Sequence, residues 1–200
     1  EFGRVNIFVA NAGATFWAKA EELSLGGWRA VIDIDIHGTF HCLQAAGRRM
    51  IRDGGGSMIC VTSVSPWTGN ANRVHGGAGK AAVSSMVKSL AVEWGRYGIR
   101  INEIAPAIPT GGASSQLGGS GPAEERPVDS EARAERLRGI PLRRQGRLTD
   151  IGNAAVFLSS DAASFITGTI LVVDGGSWLA SRRSGRDDLY GNDLPESDLA

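Results

Sequence analysis

The sequence predicts an α/β fold, a parallel sheet wrapped by helices on both faces. Two observations carry this. Short apolar runs of strand length, "NIFVA", "SMICV", "IRINEIA" and "ILVVD", recur along the chain without polar alternation, as strands buried on both faces do. Between them lie longer stretches with apolar residues at three- and four-residue steps, the helix period. Strand, helix, strand, helix, strand, helix, strand is the order expected of a doubly wound sheet.

The elements follow in turn. Asn6–Ala10 reads as the first strand, and Asn11-Ala12-Gly13 as a turn. Ser24 is placed to cap a helix from about Leu25 to Arg52, which the glycines after Asp53 end. Ser57–Val61 is a buried strand, and Thr62–His75 a polar loop. From Lys80 to Trp94 the residues Val83, Met86, Val87, Leu90 and Trp94 form one apolar stripe. The preceding "HGGAG" is poor helix material, because glycine costs helix stability. Gly95 and Gly98 close the helix, and Ile99–Ala105 is the next strand, stopped by Pro106. Residues 110–128 are rich in Gly, Ser and Pro and read as a flexible lid. A charged helix follows at Ser130–Arg138, then one capped by Thr149 and running to Ser159, then a last strand at Ile170–Asp174. Residues 181–200 read as a loose polar tail, so 1–180 form the folded part.

Composition narrows the partners. The 200 residues are 42% hydrophobic, enough to bury one domain's core. Basic and acidic residues balance at 21 each, which argues against nucleic acid or an anionic membrane as partner. No apolar run approaches the ~18 residues of a membrane span. Cys42 and Cys60 lack CxxC spacing and read as two buried, reduced thiols, placing the chain in the cytoplasm. No metal-ligand cluster is apparent. The chain opens at Glu1 and enters a strand within a few residues, as the latter part of a longer domain would.

The motifs, taken in order, are Asn11-Ala12-Gly13, "DIDIHGTF", Ser63, Lys80, "IRINEIAPAI" and "FITGTILVVDGG". Together they resemble the short-chain dehydrogenase/reductases, from Val5 to Leu179. The resemblance implies a Rossmann-like fold and NADP(H) or NAD(H) as cofactor. It also implies that the first βαβαβ half is missing, because no TGxxxGxG phosphate turn occurs in a strand-to-helix context. Asn11, Ala12, Gly13, Lys80, Pro106, Ala107 and Ile108 fall on the family's cofactor-lining positions.

The departures from that pattern are informative. The family's acid is the tyrosine of YxxxK, and four residues before Lys80 stands Gly76. The family's asparagine of NxxG falls on Asp35, whereas Ser63 keeps the serine position. A phenol beside a lysine ammonium protonates a developing alkoxide; glycine cannot. One branch, the 2,4-dienoyl-CoA reductases, works without that tyrosine. The chain is similar to it in Asp35 within "DIDIHGTF", His75, "AVEWG" and "VVDGGSWL". That likeness implies an acyl-CoA substrate, with Asp35 and Asp174 handling a proton delivered to carbon and Lys80 holding the nicotinamide ribose. Catalytic positions are thus Asp35, Ser63, Lys80 and Asp174. The likeness also implies a homo-oligomer, dimer or tetramer, built on the two long helices.

Each position has a plainer reading. Lys80 is otherwise a solvated helix lysine, Asp35 part of a helix's polar face, Ser63 a strand-end hydroxyl, and Asp174 a turn former. His37 and His75 read as surface or core histidines. Arg126, Arg133, Arg136, Arg138, Arg143, Arg144 and Arg147 either meet CoA phosphates or form, with interleaved acids, a solvated charged face. An ordinary carbonyl or alcohol oxidoreductase, such as a 3-oxoacyl reductase, and a non-catalytic homologue serving as an oligomerisation partner remain the alternative functions.

Overall fold

The structure is a computed structural model and describes residues 3–106 and 137–180. The expected lid at 110–128, the tail from 181, most of the charged helix at 130–138, and Ala107 and Ile108 lie outside the described residues.

Four parallel strands pair in chain order: β1 (Ile7–Ala10), β2 (Gly56–Val61), β3 (Ile99–Pro106) and β4 (Ile170–Val173). All three pairings are parallel, with Ala10 opposite Cys60, Cys60 opposite Glu103, and Glu103 opposite Ile170. Parallel neighbours need crossovers, and helices supply them on both faces. The α/β expectation holds, and each predicted strand lies within a residue of its observed bounds.

Alternation along the strands sorts the core into two layers. Met58, Cys60, Ile99 and Ile101 pack against Leu43, Ala46 and Met50 of α2 (Thr39–Asp53) and Val83, Val87, Leu90 and Trp94 of α4 (Val74–Trp94). Ile59 and Ile104 point the other way and meet Leu158 of α5 (Leu148–Ser159). The stripe read in the sequence is thus the buried face of α4, with Met86 partly buried beside it.

Three local expectations change. The "HGGAG" stretch is helical: α4 begins at Val74, not Lys80. Thr149 is not a cap but sits inside α5, whose N-cap is Arg147, because the Asp150 carboxylate reaches back to the Arg147 backbone N–H at 2.7 Å. Cys42 is exposed and only Cys60 is buried; both thiols are free. The Ser24 cap is borne out, with its hydroxyl accepting from Gly27 N–H at 3.0 Å.

The long helix expected from Leu25 is three consecutive segments: α1 (Leu25–Ile32), a π-helical stretch at Asp33–Gly38, and α2. The wider π turn keeps positions four apart in register, so Val31, Asp35 and Thr39 are buried one above another. Asp35 is therefore not on a polar face. It lies within the core stripe, and Ile34 is turned outward. π segments of this kind recur at functional sites.

Among the described residues no helix is long and apolar enough to cross a membrane.

Candidate active site

A cleft of ≈ 380 Å³ opens at the carboxyl ends of β1, β2 and β3, where ligands of open α/β sheets bind. The turn after β1 contributes Asn11 and Gly13–Thr15; Thr62–Ser65 follow β2 and lead into α3 (Ser65–Thr68); Pro106 ends β3; Gly76, Gly77 and Lys80 come from α4, and Asp35 from the π segment.

Asp35 is fully buried, and its Oδ1 accepts the Ala14 N–H at 2.7 Å. Its Oδ2 has no hydrogen-bond partner and faces Lys80 Nζ at 3.8 Å. The Lys80 ammonium reaches the Val61 carbonyl at 3.5 Å, bridging toward the end of β2. Burying a carboxylate is tolerated only where partners answer it. Here a backbone N–H and a nearby cation do so and still leave one oxygen available.

The glycines make this contact possible. A Cβ on Gly79 would stand 2.9 Å from the Asp35 Cβ and Oδ2, so any side chain there would push α4 away from the carboxylate. A Cβ on Gly13 would stand 2.6 Å from Lys80 Nζ. At Gly76, a Cβ would stand 2.6 Å from Thr15 Oγ1. Thr15 thus occupies the space in which an acid tyrosine would be rooted, and its buried hydroxyl has no partner. Sequence reasoning missed Thr15, since nothing local marks it; only the approach of the β1 turn to α4 does.

Ser63 lines the cleft, its hydroxyl 2.6 Å from that of Ser65. His75 is buried; its Nε2 accepts the Phe16 N–H at 3.4 Å and its ring lies 4.3 Å from that of Phe16. Burial holds this imidazole's pKa below its usual value, which favours the neutral form. His37 is exposed and paired with Asp33 at 3.0 Å. Both histidines are as expected, one core and one surface.

Asp174 is not brought to this cleft. It lines a separate hollow of ≈ 580 Å³ with Pro141, Arg144 and Asp150. Its Oδ1 accepts Gly176 N–H at 2.8 Å, and its Oδ2 accepts Trp178 N–H at 2.8 Å and the Ser177 hydroxyl at 3.1 Å. That carboxylate is occupied in shaping the turn into α6 (Ser177–Ala180). Nearby, the Arg144 fork binds both Asp150 oxygens at 2.8 and 3.2 Å and holds that carboxyl at about 2.

Behind the cleft lies Glu103, fully buried in β3. Its Oε2 accepts the hydroxyls of Thr62 at 3.0 Å and Ser84 at 2.6 Å, and Oε1 has no partner. Desolvation drives its pKa up, against the pull of those hydroxyls and Lys88. The neighbouring Cys60 thiol is pushed up to about 12, mainly by burial and then by Glu103. Sequence reasoning missed this cluster; a carboxylate inside the apolar run "IRINEIA" is the signal that could have found it.

Tyr97 sits beyond the far end of α4, its hydroxyl accepting from Arg96 at 2.7 Å. At 1.5 Å per residue it is about 25 Å along the helix from Lys80. Among the described residues, no tyrosine lines the cleft.

A nicotinamide cofactor fits the donor set: a lysine ammonium held inward, a glycine at 13 that leaves it room, the loops after β1 and β2, and Pro106 at the end of β3. Among the described residues, no group of His, Cys, Asp and Glu could hold a metal ion.

A family model described as enoyl-(acyl carrier protein) reductase matches residues 1–177. A peroxisomal 2,4-dienoyl-CoA reductase of Danio rerio is 38% identical over 182 residues, 90% of this chain and 57% of that protein. A Bacillus subtilis protein named "Probable 2,4-dienoyl-CoA reductase" is 41% identical over 181 residues, 89% of this chain and 68% of that protein. The chain thus spans between about half and two thirds of these relatives' length. A gluconate 5-dehydrogenase of Burkholderia cenocepacia, solved with NADP and tartrate, superposes with a TM-score of 0.77 at 29% identity, covering 88% of this chain and 66% of that one. The cleft at the strand ends, the inward lysine and these matches agree: the chain belongs to the short-chain dehydrogenase/reductase family.

Proposed function

We propose that this chain forms the substrate side of an NAD(P)H-dependent reductase acting on 2,4-dienoyl-CoA thioesters. The observation that carries the reading is the pairing of a buried Asp35, one oxygen unpartnered beside Lys80, with a glycine where an acid tyrosine would stand. Reduction of a ketone needs an acid at oxygen, and Gly76 supplies none. Conjugate reduction ends with a proton on carbon.

The cofactor, when bound, supplies hydride to the far carbon of the conjugated diene. Lys80 would hold its ribose hydroxyls, and Asn11, Ala12, Gly13 and Pro106 would line it. Asp35 would hold a water at the cleft wall beside Lys80; that water would give a proton to the substrate carbon and regain one from solvent, while the Ala14 N–H fixes the carboxylate's orientation through Oδ1. Ser63 gives a hydroxyl toward the thioester oxygen. Asp174 stays a turn-shaping residue in this scheme, because its oxygens are already engaged.

The carbonyl oxidoreductase alternative lacks a proton donor of the right kind among the described cleft residues. We also propose a homo-oligomer through the α1–α2 and α4 helices, on which Phe40 and Val92 are exposed. Placement in the cytoplasm rests on the two free thiols.

The test is NADPH oxidation by the active polypeptide with a 2,4-dienoyl-CoA and, separately, with simple ketones. Turnover of the thioester alone supports the reading. Efficient ketone reduction with the thioester ignored overturns it.

A further inference from the structure

We propose that Arg73, stacked on Trp17 at the mouth of the cleft, recognises an anionic oxygen group carried by the substrate, a phosphate of its carrier or a carboxylate of its acyl part. Arg73 lines the same cleft as Asp35 and Lys80. Its guanidinium lies 4.3 Å over the Trp17 ring centroid, an arrangement that holds a cation with its edge free.

The stack is built in. Ala18 N–H donates to the Asn72 carbonyl at 3.0 Å, tying the two loops together, and Arg73 N–H to that of Asn70 at 3.2 Å closes the turn before α4. Asn72 takes a left-handed φ of 63° to make that turn. The Arg73 Nε is buried without a partner. No carboxylate pairs with this guanidinium among the described residues.

Charge completes the case. Of the described residues lining the cleft, Asp35 is the one carboxylate, while Lys80 and Arg73 are both cations. Asp35 lies against Lys80, so among the described lining residues Arg73 is the excess positive charge. A guanidinium fork matches a phosphate or carboxylate. Gly76 and Gly77 form the floor between the two cations, and the space above Gly77 is open. The Arg73 backbone stands about 10 Å along α4 from that of Lys80, and its guanidinium is held on the Trp17 ring. The inference rests on the proposed reading only for the acyl group being a diene.

Calorimetric titration of the 200-residue chain tests it, with two matched pairs of probes. CoA and pantetheine share a thiol arm and differ in phosphate. The monoamide and the diamide of hexa-2,4-dienedioate share a diene, with one amide in the place of the thioester, and differ in a carboxylate at the far end. At least one charged probe is expected to bind about tenfold or more tighter than its neutral partner, the scale of a charge-assisted hydrogen bond. The pair that shows this names the source of the anion. Arg73→Gln is expected to abolish the preference, and Arg73→Lys to keep part of it, with thermal melting unchanged in both. Equal binding of charged and neutral probes, no binding of any of the four, or a preference that survives Arg73→Gln overturns the proposal. Anion preference through Arg73 without dienoyl-CoA turnover would sink the proposed reading and leave this one standing. Turnover with an unaltered KM in Arg73→Gln would do the reverse.

Discussion

Asp35 and Asp174 begin from similar positions. Each is an aspartate in an apolar setting, and each was marked by resemblance for the same proton-handling work. In the fold, Asp35 is drawn into the core stripe of a π-widened helix, with one oxygen on a backbone N–H and the other facing an ammonium. Asp174 stays at a strand end and gives both oxygens to the two N–H groups and the hydroxyl that follow it. The difference teaches what to ask of a candidate acid. A carboxylate with a free lone pair aimed at a cleft can take a water or a proton. One whose acceptor capacity is filled by its own turn stabilises the turn.

The largest effect should break that comparison or secure it. Asp35→Ala is expected to lower turnover of the active polypeptide by ~10²–10⁴-fold, the scale of a lost general acid. Asp174→Asn should leave turnover within a few-fold. Comparable losses in steady-state kinetics for both variants would mean that the turn moves and that the second aspartate reaches substrate.

Restoring the family's acid sharpens the contrast at α4. Gly76→Tyr alone is expected to destabilise by about 1–3 kcal/mol, as overpacking does, because its Cβ meets Thr15 Oγ1 at 2.6 Å. Adding Thr15→Gly should recover most of the melting temperature and allow ketone reduction to appear. A single Gly76→Tyr variant that melts like the parent would show that Thr15 does not hold that space.

A second buried acid gives a pH signature. Glu103 titrates above its unfolded value, so the folded state holds its proton more tightly. The stability it contributes is complete below the unfolded glutamate pKa and is lost as pH rises through the raised one. The loss is at most about 1.4 kcal/mol per pH unit. Urea titrations across that window should show the slope, and Glu103→Gln should flatten it. An unchanged slope would place the titration on another group.

The smallest effect belongs to the turn. Asp174→Ala should cost roughly 0.5–2 kcal/mol, the scale of a lost capping side chain. Differential scanning calorimetry reads it, and no change would mean that water replaces the carboxylate without loss.

Much of this was legible in the sequence, for physical reasons. The strands are apolar runs of the right length, and each lands within a residue of where it was read. The α4 stripe recurs on a helical period and is buried as such. Gly76 at the acid position is a matter of counting. Capping at Ser24 follows from its hydroxyl preceding a helical pattern. These features depend on neighbours in the chain, so the chain alone determined them.

What only the tertiary structure decided are contacts between distant segments. The "HGGAG" stretch is helical against its propensity because α4 must approach the π segment closely, and glycine at 79 is what lets Asp35 fit. Thr15 meets Gly76, and Trp17 meets Arg73, across dozens of residues that no local pattern links. Cys42 read as core and is exposed, since its run is apolar on a face that nothing among the described residues covers. Asp35 also had a plain reading as a polar-face residue, and the widened helical turn put it inside. Side-chain period is a local property, but which face finds a partner, and at what distance, is settled by packing across the whole sheet.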